Sequence, residues 1–112
     1  MVTMTPPGAV AVNLGPVSRI PVGEGRSYRV GDRVVAVFRT RPGDVFATQG
    51  QCPHRGGPLA DGIVGAGKVI CPLHAYRFDL ATGQPAASDC DALRTYPVSL
   101  SEAGDILVTM EG

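Results

Sequence analysis

The stretch "QCPHRGGPL" (Gln51 to Leu59) contains a cysteine and a histidine one residue apart, beside two prolines and two glycines. A second stretch, "VICPLHAYRFDL" (Val69 to Leu80), contains another cysteine and another histidine, two residues apart. Both histidines of the chain and two of its three cysteines lie in these two short segments. Such a concentration of thiol and imidazole groups indicates a functional site rather than residues placed by packing alone.

The four residues follow the pattern Cys52-x-His54, then sixteen residues, then Cys71-x-x-His74. Each half supplies one soft thiolate and one imidazole from a tight turn. Two such loops, placed face to face, offer two sulfurs and two nitrogens, which suit either a tetrahedral zinc ion or a two-iron cluster. The spacing alone leaves both metals open.

Length and charge limit the kind of protein that carries this site. A chain of 112 residues is large enough for one domain with a modest core, and its ten basic and ten acidic residues give a net charge of zero. That balance provides no electrostatic attraction for nucleic acid or an anionic membrane. An odd number of cysteines in this placement is not a secreted disulfide framework, and we find no targeting segment, so the sequence predicts a soluble cytoplasmic protein.

The fold class is predicted to be all-β. Glycine (15) and proline (10) are frequent, and the apolar residues form short β-branched runs rather than a helical repeat. One strand is expected to place Phe78 and Leu80 on one face and Arg77 and Asp79 on the other, before a turn at Thr82 and Gly83. The other predicted strands are Pro16–Val22, Ser27–Val30, Arg33–Thr40, Asp44–Gln49, Leu93–Leu100 and Asp105–Met110, and only 88–94 is compatible with a helical turn.

The segments "CPHRGGPLADG" and "CPLHAYRFDLATG" resemble the two cluster-binding segments of Rieske iron–sulfur proteins, specifically the small soluble Rieske-type ferredoxins. The similarity covers roughly residues 45 to 110. It implies an antiparallel β sandwich, forming a single domain over residues 1–112, with base sheets at about 15–50 and 80–112. The cluster would be bound by a small subdomain of two loops, at about 51–79.

The resemblance also implies a ligand set for one Rieske [2Fe-2S] cluster. Cys52 and Cys71 would hold one iron as thiolates, and His54 and His74 would hold the other as neutral imidazoles. Two ferric ions, two sulfides and two thiolates sum to zero charge, whereas an all-cysteine cluster sums to minus two. Because an electron is added more easily to a neutral centre, histidine ligation raises the reduction potential, to about −150 to +300 mV.

Within that range the sequence predicts a low potential. High-potential members of the family carry a disulfide across the cluster, and the corresponding positions here are Gly57 and Leu73. The serine that donates to a bridging sulfide in those members is replaced by Ala75. We therefore expect a value near the bottom of the range, at about −150 mV.

The resemblance implies an electron-transfer component that is not catalytic alone. It would accept one electron from a flavin-dependent reductase and deliver it to a terminal oxygenase. The first segment is also similar to the small subunits of assimilatory nitrite reductases, and Tyr76 stands where many dioxygenase ferredoxins have tryptophan, so a fixed subunit of a larger oxidoreductase is the alternative. A structural zinc module is a third reading, although its usual C-x2-C spacing is missing.

Several residues outside the ligand set have competing interpretations. Cys90 is interpreted as a free thiol without a role, and the glycines of "DGIVGAGK" as turn formers rather than a phosphate loop. Pro85 either belongs to a third loop over the cluster or ends a strand. Arg55 and Arg77 are either solvated charges or part of a docking surface.

Overall fold

The chain folds into three antiparallel sheets. The computed structural model describes residues 9–40, 43–51, 58–71, 77–86 and 91–111. Within these ranges there are ten strands and two short 3-10 helices, and no α-helix. The predicted all-β, antiparallel fold class is confirmed.

Two of the sheets form the body of the domain, and the third is built from the middle of the chain. The first sheet has the order β1 (Ala9–Pro16), β10 (Asp105–Glu111), β9 (Val98–Leu100). The second has the order β2 (Glu24–Val30), β3 (Arg33–Arg39), β4 (Val45–Gln49), β8 (Thr95–Tyr96). The third has the order β5 (Ile63–Gly65), β6 (Lys68–Ile70), β7 (Arg77–Asp79), and the 3-10 helices are Val17–Arg19 and Leu59–Asp61.

Strand β3 is the central element because both of its faces are buried. Val35 and Val37 pack into a core between the first two sheets, while Ala36 and Phe38 pack into a second core beneath the third sheet. Successive side chains of a strand point to opposite faces, so a strand buried on both sides has a continuous apolar run. The buried run "VAVF" (Val35 to Phe38) therefore joins the body of the domain to the third sheet.

The prediction for the first strand was wrong. The structure has a strand at Ala9–Pro16 and a 3-10 helix at Val17–Arg19, where the sequence had suggested a strand over Pro16–Val22. β1 pairs with the C-terminal strand β10, from Ala9 opposite Glu111 to Asn13 opposite Leu107. This pairing joins the two ends of the chain, so the local sequence around β1 gives no direct sign of it.

The prediction of one strand over Leu93–Leu100 was also wrong, because Pro97 divides it. β8 pairs with β4 in the second sheet, whereas β9 pairs with β10 in the first. Proline has no N–H to continue a ladder, so the chain changes sheets at this residue. The hairpin of β9 with β10 is nevertheless confirmed.

The remaining strand predictions agree with the structure to within a few residues. β2 contains Ser27–Val30, β3 and β4 form the expected hairpin, and β7 lies in the predicted segment with Phe78 inside and Arg77 outside. Gly65 and Gly67 of "DGIVGAGK" lie at the turn between β5 and β6, as expected, whereas Gly62 precedes β5; these two strands had not been predicted. Residues 91–94 are not helical, and 88–90 lie outside the described residues.

Candidate metal centre

Of the four predicted ligands, Cys71 is the one that falls in the described part of the chain. Cys52, His54 and His74 lie outside the described residues. Cys71 directly follows β6, its side chain is only 1% exposed, and it forms no disulfide. The second predicted loop therefore begins with a buried thiol.

The first predicted loop is closed at its base. Gln51 and Pro58 face each other in an antiparallel bridge, and the N–H of Leu59 donates to the carbonyl of Gly50 at 3.0 Å. The chain thus leaves the second sheet after β4 and returns beside the same point before the 3-10 helix. The described residues on either side of 52–57 are consequently paired with each other.

The second predicted loop has an equivalent base in the third sheet. Ile70, at the end of β6, is paired with Arg77, at the start of β7. Between these two positions lie Cys71 and the residues 72–76. This loop also begins and ends at neighbouring backbone positions.

Packing brings the two bases together. Leu59, after the first loop, and Cys71, in the second, belong to the same buried cluster as Phe38, and Leu59 has no exposed surface. Gly62 ends the intervening 3-10 helix, and a Cβ at this position would overlap the backbone carbonyl of Ile70. The close approach of the chain at Gly62 therefore requires glycine and sets the two loop bases side by side.

The turn after the second loop is formed around Asp79. Its carboxylate accepts the backbone N–H groups of Ala81 at 2.9 Å and Thr82 at 3.1 Å, and Lys68 lies 3.8 Å away. The hydrogen bond from Thr82 is the main cause that lowers the pKa of Asp79, and Lys68 contributes in the same direction. The turn at Thr82 and Gly83 that the sequence predicted is thus stabilised by an ionised side chain.

The segment after this turn runs back along β7. Pro85 forms an antiparallel bridge with Phe78. On either side of this bridge, the N–H of Asp79 donates to the carbonyl of Gln84 at 2.9 Å, and the N–H of Ala86 donates to the carbonyl of Arg77 at 2.9 Å. Pro85 therefore leads the chain along β7 towards the base of the second loop. Cys90 lies outside the described residues.

Sequence reasoning missed Gln49, the last residue of β4. Its side-chain amide donates to the carbonyl of Gln51 at 2.7 Å, and its side-chain oxygen accepts the N–H of Arg94 at 2.8 Å. The backbone N–H of Gln49 donates to the carbonyl of Arg94, also at 2.8 Å. A glutamine three residues before a cysteine gives little signal by itself, because its partner Arg94 is 45 residues away.

The donor set fits an iron–sulfur cluster on chemical grounds. A buried, unpaired thiol opens one of two loops whose bases are adjacent, and each loop contains one cysteine and one histidine in sequence. A cluster bound there would take the buried thiol of Cys71 as one of its thiolate donors. Two thiolates and two imidazoles match the mixed ligation of a Rieske-type centre.

The chain belongs to the Rieske [2Fe-2S] domain family, and the sequence model of that family matches residues 10–97. Its cofactor is accordingly one Rieske-type [2Fe-2S] cluster rather than a structural zinc ion.

Among relatives, the ferredoxin component of naphthalene 1,2-dioxygenase/salicylate 5-hydroxylase systems from Ralstonia sp is 31% identical over 96 residues, 82% of this chain and 88% of the relative. Among solved structures, a chain in the complex of reduced oxygenase and oxidised ferredoxin of carbazole 1,9a-dioxygenase is 30% identical, with a TM-score of 0.79, covering 90% of this chain and 94% of that one.

A structure from Mycobacterium tuberculosis, assigned as the small subunit of an NADH-dependent nitrite reductase, has a TM-score of 0.85 over 93% of this chain and 97% of that one, at 24% identity. The last of these similarities shows the fold alone. Within the described ranges no helix is long and apolar enough to cross a membrane.

Proposed function

We propose that this chain is a one-electron carrier that passes electrons from a flavin-dependent reductase to a terminal oxygenase and is not catalytic by itself. The observation that carries the proposal is the joining of two loop bases around the buried thiol of Cys71. The relatedness to ferredoxin components of dioxygenase systems supports the same function. The expected cytoplasmic location is part of this proposal.

The ligands in this proposal are Cys52 and Cys71 for one iron and His54 and His74 for the other. When bound, the cluster supplies a one-electron redox couple. The described residues give this site a stiff base: the backbone is paired where each loop starts and ends, and the sheets beneath are packed on β3. A carrier needs this stiffness because its ligands should move little between oxidation states.

The outer face of the third sheet offers a contact surface beside the second loop. Val64, Val69 and Phe78 point into the core, so the alternating residues Ile63, Ile70 and Arg77 lie together on the opposite face. Ile63 is 70% exposed, and Ile70 and Arg77 flank the second loop directly. Among the described residues Arg77 has no acidic partner, whereas Lys68 is paired with Asp79.

A face with two isoleucines and one arginine suits a partner that presents an apolar patch bordered by a carboxylate. Transient electron-transfer complexes have small interfaces, so a surface of a few exposed residues beside the cluster loop is enough to contribute to docking of a redox partner. We include this surface, defined by Ile63, Ile70 and Arg77 and called the partner face, as the contact for the oxygenase.

The second candidate function is the small subunit of a larger oxidoreductase such as a nitrite reductase. The similarity of the segment "CPHRGGPLADG" to the small subunits of assimilatory nitrite reductases favours it. A shuttle should purify as a free protein and turn over with an exchangeable reductase, whereas a dedicated subunit should co-purify with one large partner at fixed stoichiometry.

Iron and acid-labile sulfide analysis of anaerobically purified protein tests the cofactor and its carrier role. We expect two irons and two sulfides per chain, and a reduced EPR spectrum with an average g value below that of an all-thiolate cluster. Absence of both elements after reconstitution would overturn the proposed function.

A further inference from the structure

The side chain of Gln49 is hydrogen-bonded to two other points of the chain. Its amide group donates to Gln51 at 2.7 Å, and its oxygen accepts from Arg94 at 2.8 Å, so both ends of the amide are used. The orientation of the amide follows from its partners, because a carbonyl can only accept and a backbone N–H can only donate. Gln49 is thus held in one position at the end of β4.

The carbonyl that Gln49 holds belongs to the peptide group joining Gln51 to Cys52. A peptide group is planar, so a hydrogen bond that fixes its oxygen restricts the whole group. The same point of the chain is held by the bridge of Gln51 to Pro58. One residue earlier, the N–H of Gly50 donates to the carbonyl of Val34 at 2.9 Å. Of these contacts, the one from Gln49 is made by a side chain and can be removed by substitution.

The other arm of Gln49 reaches toward the second loop. Arg94 follows Leu93, and the N–H of Leu93 donates to the carbonyl of Gly83 at 2.7 Å. The N–H of Gly83 donates in turn to the carbonyl of Asp79 at 2.7 Å. Asp79 is the last residue of β7, the strand that begins where the second loop ends. A continuous series of hydrogen bonds and covalent links therefore runs from the start of the first loop to the strand that closes the second.

We propose that Gln49 is a positioning residue for the cluster: it fixes the start of the first ligand loop relative to the second. A cluster with ligands from two loops needs a constant distance between them, and groups that orient metal ligands are typically worth about 10- to 100-fold in metal affinity. Gln49 is half-buried and its bonds lie at the surface, so its contribution to overall stability is small by comparison. This inference rests on the proposed function, because it takes Cys52 to be a ligand.

Two substitutions of Gln49 and one matched control test the proposal in the loaded protein. Gln49→Leu removes both hydrogen bonds at similar volume. Gln49→Glu keeps an acceptor for Arg94 but places a carboxylate oxygen against the carbonyl of Gln51. Gln84→Leu is the control, since Gln84 is exposed and its side chain forms no hydrogen bond with any described residue.

We expect Gln49→Leu and Gln49→Glu to lose the cluster to an iron chelator about tenfold faster than the unmodified protein, while Gln84→Leu does not. The EPR lines of the loaded, reduced fraction should broaden or shift in both Gln49 variants, because the ligand geometry becomes less uniform. Unmodified behaviour of Gln49→Glu would overturn the proposal, since it would show that the contact with Gln51 is unimportant.

A role in general stability has a different signature. It would lower the thermal unfolding midpoint of Gln49→Leu and leave the EPR spectrum of the loaded fraction unchanged, and that result would also overturn the proposal. Failure of the unmodified protein to take up any cluster would instead reject the ligand assignment and the proposed function. If the unmodified protein loads and the Gln49 variants match Gln84→Leu, only the role of Gln49 is wrong.

Discussion

The backbones of Gly83 and Leu93 are so close that no side chain fits at position 83. The N–H of Leu93 donates to the carbonyl of Gly83 at 2.7 Å, and the carbonyl of Leu93 occupies the space that a Cβ on Gly83 would need. Gly83 also has a φ of +78°, in the left-handed region. This contact closes the segment between the turn after β7 and the start of β8.

We therefore expect Gly83→Ala to destabilise the protein strongly. Gly104→Ala is the matched control, because Gly104 has a φ of +86° but no atom within 4 Å of its would-be Cβ. Both substitutions carry the cost of a left-handed residue, and only Gly83→Ala adds overlap with backbone, worth about 1 to 3 kcal/mol more. Urea unfolding of the two variants measures the difference, and equal free energies of unfolding would contradict the close approach.

The carboxylate of Asp79 should stabilise the protein in a pH-dependent way. Asp79→Ala removes the acceptor for the N–H groups of Ala81 and Thr82 and should cost about 1 kcal/mol at neutral pH. Asp79→Asn keeps an acceptor oxygen and should cost less, so it serves as the control.

The direction of the pH effect follows from the lowered pKa of Asp79. A carboxyl group whose pKa is lower in the folded than in the unfolded state contributes stability above its unfolded pKa. That contribution is lost as the pH falls through the folded value, below about pH 4. Unfolding curves from pH 7 downward should show the gap between the unmodified protein and Asp79→Ala shrinking only in that acid range, and a constant gap would disagree.

The reduction potential should be low and should respond to the histidine ligands. We expect a midpoint at about −150 mV for the unmodified protein, and a lower value for His54→Cys if that variant keeps a cluster, because a third thiolate adds negative charge. Cys52→Ser should load little or no cluster. Cys90→Ser is the control, since this cysteine lies outside both loops and should leave the potential unchanged.

Redox titration followed by visible absorption measures these values. A midpoint well above 0 mV in the unmodified protein would contradict the argument from Gly57, Leu73 and Ala75. A changed potential in Cys90→Ser would show that this thiol, too, affects the cluster.

Electron transfer to an oxygenase should depend on the partner face. Arg77→Glu is expected to lower the second-order rate constant at low salt by about tenfold, because it replaces attraction for a carboxylate with repulsion. Ile63→Thr should lower it through lost apolar contact while keeping a β-branched residue on the strand. Arg19→Glu makes the same charge change, and Leu100→Thr a comparable loss of apolar surface, at exposed positions on other elements, and both should have little effect.

Stopped-flow reduction of a ring-hydroxylating oxygenase by pre-reduced protein provides these rate constants. The potential of each variant should be measured as well, so that a change in driving force is not mistaken for a change in docking. Equal rates for the Arg77 and Arg19 variants would place the contact surface elsewhere.

Local sequence was sufficient for elements whose partners are close along the chain. The hairpin of β3 and β4 has two short apolar runs joined by a nearby turn, and the hairpin of β9 and β10 is joined by a four-residue connection, 101–104. Local sequence was not sufficient for β1, whose partner β10 is at the other end of the chain. It was also not sufficient for the run divided by Pro97, whose two halves join different sheets. Register between distant strands depends on pairing energy that no short window contains.

The sequence by itself predicted the candidate residues of the site, because the cysteines and histidines and their spacing are local features, and it indicated the all-β class through its short β-branched apolar runs. The tertiary structure alone decided how the two loop bases meet, through Leu59 and Cys71 in one core and the close approach at Gly62. It also decided that Gln49 reaches Arg94, a contact between residues far apart in the chain. Hydrogen bonds and packing between distant segments exist only once the sheets have assembled, so their partners cannot be read from composition or spacing.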